Sequence, residues 1–412
     1  MAKANQEHLV GIDVGSRKVM CVVAQPSSQT PGMAKVLGFS RVASCGIRKG
    51  IVYDVEEAVD VIRRAVTEAQ TMAGVPVKNV WAAIGGADLR SANCRGVAVL
   101  RSQEVRRNEV LEAQQNARDH IDKEARGLDL LATINQGYTV GEVSGCTNPL
   151  GLQGASIEAQ YHAVYGARSS AENLRRTLQR AGLDLSGYTP HPWASASAVL
   201  SSTDMEAGSA VIDIGAQTTS LTVFTEGIIR YTQVKPWGAD YFTRDIAAVL
   251  GVTMGQAEEL KCGQGHCLPD DVIAGESVWS PAMDGRVPRR FSRALLAKTL
   301  YARACEMMEH YRKILCETSY EDSVRIITLT GGGSRLRGIS GVAESVFGKT
   351  VRIGRPANIE GVTQFSDQPE ASVVMGLVAA AEDAAMNTPG AQGRWAMPRV
   401  FDRVKHFLVG SY

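Results

Sequence analysis

The chain has 412 residues, more than one hydrophobic core ordinarily serves, so at least two domains are expected. Its 44 Lys and Arg stand against 43 Asp and Glu, which leaves no overall charge to draw it onto nucleic acid. Eight widely spaced cysteines do not make the dense framework of a small secreted disulfide protein and fit a reducing compartment.

The chain opens with MAKANQEHLV, which lacks the apolar run of a secretory signal. GIDVGSRKVMCVV, residues 11 to 23, then runs apolar, Asp13, apolar, Gly15, polar turn, apolar strand, the pattern of a hairpin bent at a glycine. Asp54 with Glu57 three residues on forms an N-cap signature, and apolar residues from Val55 to Ala69 recur at helical spacing toward Gly74. Between Val80 and Ala167 the pattern changes. A polar helix around 105 to 125 lies among short strand-like runs such as QGYTVGEV, which reads as an inserted subdomain. Ser170 is expected to cap the next helix, with Leu174, Leu178 and Ala181 on one side and Gly182 at its end.

VIDIGAQTTSLTVF, residues 211 to 224, repeats the first hairpin, with Asp213 and Gly215 in the places of Asp13 and Gly15. Cys262, His266 and Cys267 of KCGQGHC offer three ligand types in one loop but no second pair elsewhere, so a zinc site is rejected. An uninterrupted helix is expected from Ser292 to Glu317, then the β-branched strand RIITLT at 325 to 330, which runs into GGGSRLRG. This alternation of strands and helices gives an α/β fold. The apolar stretch at 371 to 381 is shorter than the roughly 20 residues of a spanning helix, and 382 to 394, rich in Ala, Gly, Asn and Pro, reads as a flexible linker.

After it, Pro398 suits a first helical position. Val400, Phe401, Val404, Phe407 and Leu408 occupy one arc of the projected helix, with Arg403 and Lys405 at its edges. Packing back onto the chain's own domain is the plain reading of such a helix. Its terminal place and bordering cations favour a membrane surface instead.

The paired hairpins carry a chemistry of their own. A glycine turn presents backbone N–H groups without a Cβ to hold a phosphate off, and a nearby carboxylate suits a hydrated Mg²⁺. Each turn alone is equally a structural hairpin. Two facing turns, with a third glycine turn at 331 to 333, would clamp a triphosphate. Neither a Walker loop nor G-x-G-x-x-G is present.

IDVGSRKV, VIDIGAQTT and LTGGGSRL, in this order, resemble the phosphate 1, phosphate 2 and adenosine motifs of the actin, Hsp70 and sugar kinase superfamily. With GIRKGIVYD, NPLGLQG, HPWASASAVL, AEELKCGQG and VRIGRP, the chain resembles the FtsA family of actin-like bacterial cell-division proteins over nearly its whole length. The resemblance implies an actin-like fold of two lobes, duplicated ribonuclease H-like cores around a cleft for ATP and Mg²⁺. It implies subdomain 1A at 1–84 and 168–200, an inserted 1C at 85–167, subdomain 2A at 201–235 and 311–370, 2B at 236–310, and a return to 1A at 371–381. The linker at 382–394 and an amphipathic helix at 395–412 complete the chain.

By motif, Asp13, Gly15, Ser16 and Lys18 would hold phosphates and Mg²⁺ from one side, and Asp213, Gly215, Ala216, Gln217 and Thr218 from the other, the two aspartates facing the metal. Gly331, Gly332, Gly333 and Ser334 would meet the adenosine, and Glu258 and Lys261 the ribose and adenine, although by spacing alone the last two read as a solvated helix-face pair. The family's second turn reads D-I-G-G-G-T-T-D, where this chain has Ala216, Gln217 and Ser220. Side chains there reshape the phosphate grip, and His191 stands where efficient ATPases place a water-orienting acid or amide. The histidine is expected to be packed and hydrogen-bonded. Binding with at most weak hydrolysis is therefore expected.

The resemblance further implies self-association into filaments, capture of the C-terminal tail of the tubulin-like FtsZ on subdomain 2B, recruitment of later division proteins, and a place on the cytoplasmic face of the inner membrane at the division site. Arg286, Arg289, Arg290 and Arg293 are candidates for meeting the acidic tail. A sugar or acetate kinase with the same cleft is the alternative, and would need a catalytic acid between the lobes. A second rival is an Hsp70-like or pilus-assembly actin homologue, of which the former would need a peptide-binding domain beyond what 382 to 412 offers.

Overall fold

The computed structural model describes residues 8–27, 33–280, 287–357, 359–361 and 368–387. The membrane-helix segment at 395–412, with Val400, Phe401, Arg403, Val404, Lys405, Phe407 and Leu408, lies outside the described residues, as does Arg286. Among the described residues no helix is long and apolar enough to cross a membrane.

Two sheets share one strand order. In the first, Ala34–Ala43, Lys18–Pro26, Leu9–Val14, Asn79–Ile84 and Asp184–Pro190 lie side by side, with Ile359–Gly361 added beyond Ala34–Ala43. In the second the order is Ile228–Lys235, Thr219–Thr225, Ser209–Ile214, Ile326–Thr330 and Thr350–Ile353. In both, the first three strands run antiparallel to one another and the last two join in parallel. The central hairpin strands are buried nearly throughout, as strands covered on both faces must be.

Helix Val55–Ala73 covers the first sheet. Asp54 caps it by accepting from the Glu56 and Glu57 amides, and Gly74 ends it at φ 70°, both as the sequence predicts. Helix Arg293–Glu317 fills the expected range, with Ser292, expected as its first residue, serving as the cap that accepts from the Leu295 amide, and it buries Leu300, Met307, Met308 and Tyr311 in the second core.

The expected cap at Ser170 is corrected. That helix spans Arg168–Arg180, because Asp88, remote in sequence, accepts from both the Ala167 amide at 2.9 Å and the Ser170 hydroxyl at 3.1 Å. A side chain from the far end of the insert thus does what local spacing assigned to a serine.

The predicted insert is a separate layer. Arg90–Val99, Ser156–Gly166, Asp129–Val140 and Val143–Cys146 form an antiparallel sheet, on which helix Arg107–Glu124 rests. Gly96 sets the approach: a Cβ there would stand 2.1 Å from the Ala117 nitrogen. The layer interrupts the crossover between the parallel strands Asn79–Ile84 and Asp184–Pro190. Its other face docks on edge strand Ile228–Lys235 of the second sheet. There His162, fully buried, holds Asn93 Oδ1 at 2.6 Å and Thr232 Oγ1 at 2.9 Å, and Gln136 donates to the Ile229 carbonyl.

Helices His191–Val199 and Ser372–Asn387 cross where the two cores meet, so closely that a Cβ on Gly376 would fall 1.9 Å from the Ala194 carbonyl oxygen. The second helix overturns part of the linker reading. It continues through 382 to 387, with Glu382 and Asp383 buried at 5% and 2% exposure. Its alanines, which look like linker composition, are the strongest helix formers. Only 388 to 394 of the expected linker lies outside the described residues.

Candidate functional site

Each predicted hairpin turns the same way. Asp13 pairs with Met20 and Val14 with Val19, and the Gly15 amide donates to the Lys18 carbonyl at 3.0 Å. Asp213 pairs with Ser220 and Ile214 with Thr219, and the Gly215 amide donates to the Thr218 carbonyl at 2.9 Å. The two turns open on one cleft of about 840 Å³. Asp13, Gly15, Ser16 and Lys18 line it together with Asp213, Gly215, Ala216, Gln217 and Thr218, and so do Glu258, Lys261, Gly331, Gly332 and Gly333.

The third glycine turn packs directly on the second. A Cβ at Gly331, whose φ is 79°, would stand 2.1 Å from Asp213 Oδ1, and one at Gly333 would stand 2.3 Å from Ile214 Cγ2. Glycine is needed here by contact as well as by conformation. The glycine turn continues as a 3₁₀ turn, Gly332–Arg335, and the following helix starts only at Ile339. Ser334 is corrected as a lining residue: its hydroxyl is buried and donates to the Gly331 carbonyl at 2.7 Å, bracing the turn from behind.

Glu258 and Lys261 are not a solvated pair. Lys261 is 9% exposed and donates to Glu258 Oε2 at 2.7 Å, to Thr243 Oγ1 at 2.8 Å and to the Ala239 carbonyl at 3.3 Å. Burial works to raise the Glu258 carboxyl, and the Lys261 charge and the hydrogen bonds outweigh it, holding it below the ordinary carboxylate range.

Charge in the cleft is arranged around buried groups. Burial drives the Asp13 carboxyl up, against the pull of His191 and Lys18. Burial also brings the Lys18 ammonium down to about 8, against the charge of Glu370. Asp213 is 2% exposed and its Oδ2 has no hydrogen-bond partner, with His191 Nε2 at 3.7 Å. A buried carboxylate oxygen without a donor is costly unless a cation or a ligand completes it, so the site fits a metal ion beside the two aspartates. His191 faces the cleft with its side chain 24% exposed, packs against Gly85 and stands 3.7 Å from Asp213, beyond hydrogen-bond reach.

The structure adds residues that motif reasoning missed. Arg17 and Asp240 meet across the cleft. Gly85 and Gly86 line its wall, and so do Arg41, Arg335 and Glu370, with Glu370 Oε1 accepting from Arg335 at 2.6 Å and lying 3.3 Å from Arg41. The Gly-Gly pair after VWAAI was legible as a strand-to-turn signal. Glu370 carries no local signal, since only the fold brings it to Lys18.

The comparisons with known proteins agree with this architecture. The family model "Cell division protein FtsA" matches residues 210–376, and "SHS2 domain inserted in FTSA" matches residues 86–165, within the predicted insert. The chain is 32% identical to the cell division protein FtsA of Pseudomonas aeruginosa, over 98% of each chain. It is 31% identical to that of Escherichia coli K12, over 94% of this chain and 93% of the other. Among solved structures it resembles the PilM-PilN type IV pilus biogenesis complex, at 16% identity and a TM-score of 0.68 over 91% of this chain and 99% of that one. It also resembles MreB 5 of Spiroplasma citri bound to AMPPNP, at 13% identity and a TM-score of 0.55 over 93% and 98%. The duplicated sheets are therefore those of the actin-like fold, and the chain belongs to the FtsA family of cell-division proteins.

Proposed function

We propose that the chain is an ATP-loaded adaptor that ties FtsZ filaments to the cytoplasmic membrane during division. The observation that carries the reading is the pair of equivalent glycine turns, each led by a buried aspartate, that open on one cleft against a third glycine turn. Asp13, Gly15, Ser16 and Lys18 hold the phosphates from one lobe, and Asp213, Gly215, Ala216, Gln217 and Thr218 from the other. Asp13 and Asp213 hold Mg²⁺, which when bound neutralises phosphate charge. Gly331, Gly332 and Gly333 pass the adenosine, while Glu258 and Lys261 form the ribose-side wall. The MreB relative bound to AMPPNP supports a nucleotide in this cleft.

Turnover is weak at most in this reading, because the second turn carries Ala216 and Gln217 where the family pattern has glycines, and His191 stands at the position of a water-orienting acid. Binding sets the lobe angle, and the closed form self-associates. The domain limits read from the sequence serve as the working division, with 236–310 as subdomain 2B. Trp279 and Val287 there are exposed at 56% and 74%, Trp279 pairing across strands with Arg290 and Val287 lying two residues before Arg289. Apolar anchors rimmed by cations suit an acidic, partly apolar FtsZ tail. Segment 395–412 supplies the membrane contact, and filament formation multiplies weak anchors into avidity. Later division proteins are received on the insert, at the division site on the inner membrane.

Calorimetry with ATP and Mg²⁺ tests the cleft: uptake of one nucleotide per chain is expected, and its absence ends the reading. Liposome co-sedimentation with and without 395–412 tests the anchor. Only the full chain should pellet, and equal pelleting of both forms would remove the membrane role.

A further inference from the structure

Arg17 and Gln217 occupy the same place in the two hairpins, four residues after the leading aspartate. Both reach one carboxylate. Arg17, from the first lobe, donates through Nη2 at 2.9 Å and Nε at 3.2 Å to Asp240 Oδ1. Gln217, from the second lobe, donates to Asp240 Oδ2 at 3.3 Å. Asp240 belongs to the second lobe, as the first residue of helix Asp240–Leu250, and that helix start is fused to the second turn. The Ala239 amide donates to the Gly215 carbonyl at 2.9 Å, and the Asp240 amide to the Ala216 carbonyl at 2.8 Å.

Gln217 also crosses the other way. Its Oε1 accepts from the Lys49 amide of the first lobe at 2.9 Å, while the neighbouring Gly50 amide donates to Ser16 Oγ at 3.0 Å. Each turn thus sends one side chain across the cleft, and the two ties share one acidic anchor. Arg17 lies 3.5 Å from Glu258 as well, so the tie reaches the wall beside Lys261.

We propose that Arg17, Gln217 and Asp240 form a latch across the mouth of the cleft that holds the two lobes together without a ligand and slows the release of a bound nucleotide. The slowing of release rests on the nucleotide reading above; the ligand-free closure does not. Gln217 meets phosphate only through its backbone in this scheme, and its side chain is a positioning group, because its Oε1 and Nε2 are engaged by Lys49 and Asp240. The family pattern has glycine at this place, so the second tie is a property of this chain's own sequence. Arg17 is suited to the first tie because a planar guanidinium donates through two nitrogens to one carboxylate. The tie is only partly shielded, with the Arg17 side chain 48% and Asp240 12% exposed, so water and salt compete with it. The latch is therefore one that opens and recloses, and it acts on the release rate more than on the association rate.

Two measurements on the full chain decide this. Hydrogen exchange in the ligand-free protein reads the Lys49 amide, and displacement of a fluorescent ATP analogue with Mg²⁺ reads the release rate. Q217G, which restores a residue the turn accepts, should speed exchange at Lys49 and raise the release rate about fivefold, the worth of one hydrogen bond, with the association rate changed less. D240N keeps the shape and removes the charge, and should release nucleotide faster by a similar factor. Unchanged Lys49 exchange in Q217G overturns the latch, and faster exchange at Lys49 with unaltered release in both variants overturns its control of the nucleotide. If the wild-type chain takes up no nucleotide, the nucleotide reading fails by itself, and exchange at Lys49 still decides whether the lobes are latched.

Discussion

The two hairpins differ in what they present, not in how they are built. Both bend at a glycine whose amide donates to the carbonyl three residues on, and both hold a buried aspartate two residues before that glycine. One then offers Ser16, Arg17 and Lys18, and the other Ala216, Gln217 and Thr218. The backbone makes equal cradles, and the side chains divide the labour. The first turn supplies cations, while the second supplies an orphaned carboxylate oxygen at Asp213 and a neutral side chain that crosses the cleft. A polyanion between them would meet positive charge from one lobe and metal-holding capacity from both.

The largest way to break the comparison is at the third turn, whose first and third glycines pack on the second hairpin. Gly331→Ala places a methyl 2.1 Å from Asp213 Oδ1 at a φ of 79°, combining backbone strain with a displaced buried carboxylate. The expected loss is about 3 kcal/mol of stability, together with nucleotide uptake. Urea unfolding checks it, and an unchanged midpoint would show that the turns are not packed as described.

Next comes Lys18, which has a threonine as its counterpart. Lys18→Met should weaken ATP binding by about 10- to 100-fold, the range of a charged hydrogen bond, while Thr218→Val should cost no more than about tenfold. Calorimetry on both variants checks the asymmetry, and equal losses would contradict the division of labour. The pH dependence follows from the same residue. Burial lowers the Lys18 ammonium from 10.5 to about 8, so between those values the unfolded chain binds more protons than the folded one. From this group the ligand-free protein gains stability as pH rises from about 8 toward 10.5, and the gain is absent below 8. Nucleotide affinity moves the opposite way over that window, because the charge that meets phosphate is lost. Lys18→Met should flatten both trends, which thermal unfolding and titration at pH 7 and 9.5 would register.

Most of this site was legible because it is written in contiguous motifs. Asp13 to Lys18, Asp213 to Thr218 and Gly331 to Gly333 each form one turn, so local chemistry located them before any packing was known. What escaped was non-local. Ser334 lies inside its motif and yet faces the backbone, since a 3₁₀ turn rotates it away from the cleft. Asp240 and Glu370 carry no signal of their own, and only the return of distant segments brings them to Arg17 and Lys18. Asp88 displaced the predicted cap at Ser170 for the same reason. The insert was visible as a change of pattern. Its docking on strand Ile228–Lys235 through His162 was not, because burial and a pKa lowered to about 3 by that burial arise only once the two layers meet.

The smallest test sharpens the comparison most. Ser16 and Ala216 are counterparts, and the difference between them is one hydroxyl, whose oxygen accepts from the Gly50 amide at 3.0 Å. Ser16→Ala makes the first turn match the second at this position while leaving the Gly15 to Lys18 bond in place. The Gly50 amide, in a segment with φ of 74°, is left to find water, so the cost should be about 0.5–1.5 kcal/mol. If the hydroxyl only braces the Lys49 and Gly50 segment, unfolding shifts by that amount and ATP affinity falls less than about threefold. A fall of tenfold or more at unchanged stability would mean that Ser16 faces phosphate directly, and that the first turn grips its ligand by side chain where the second must rely on backbone.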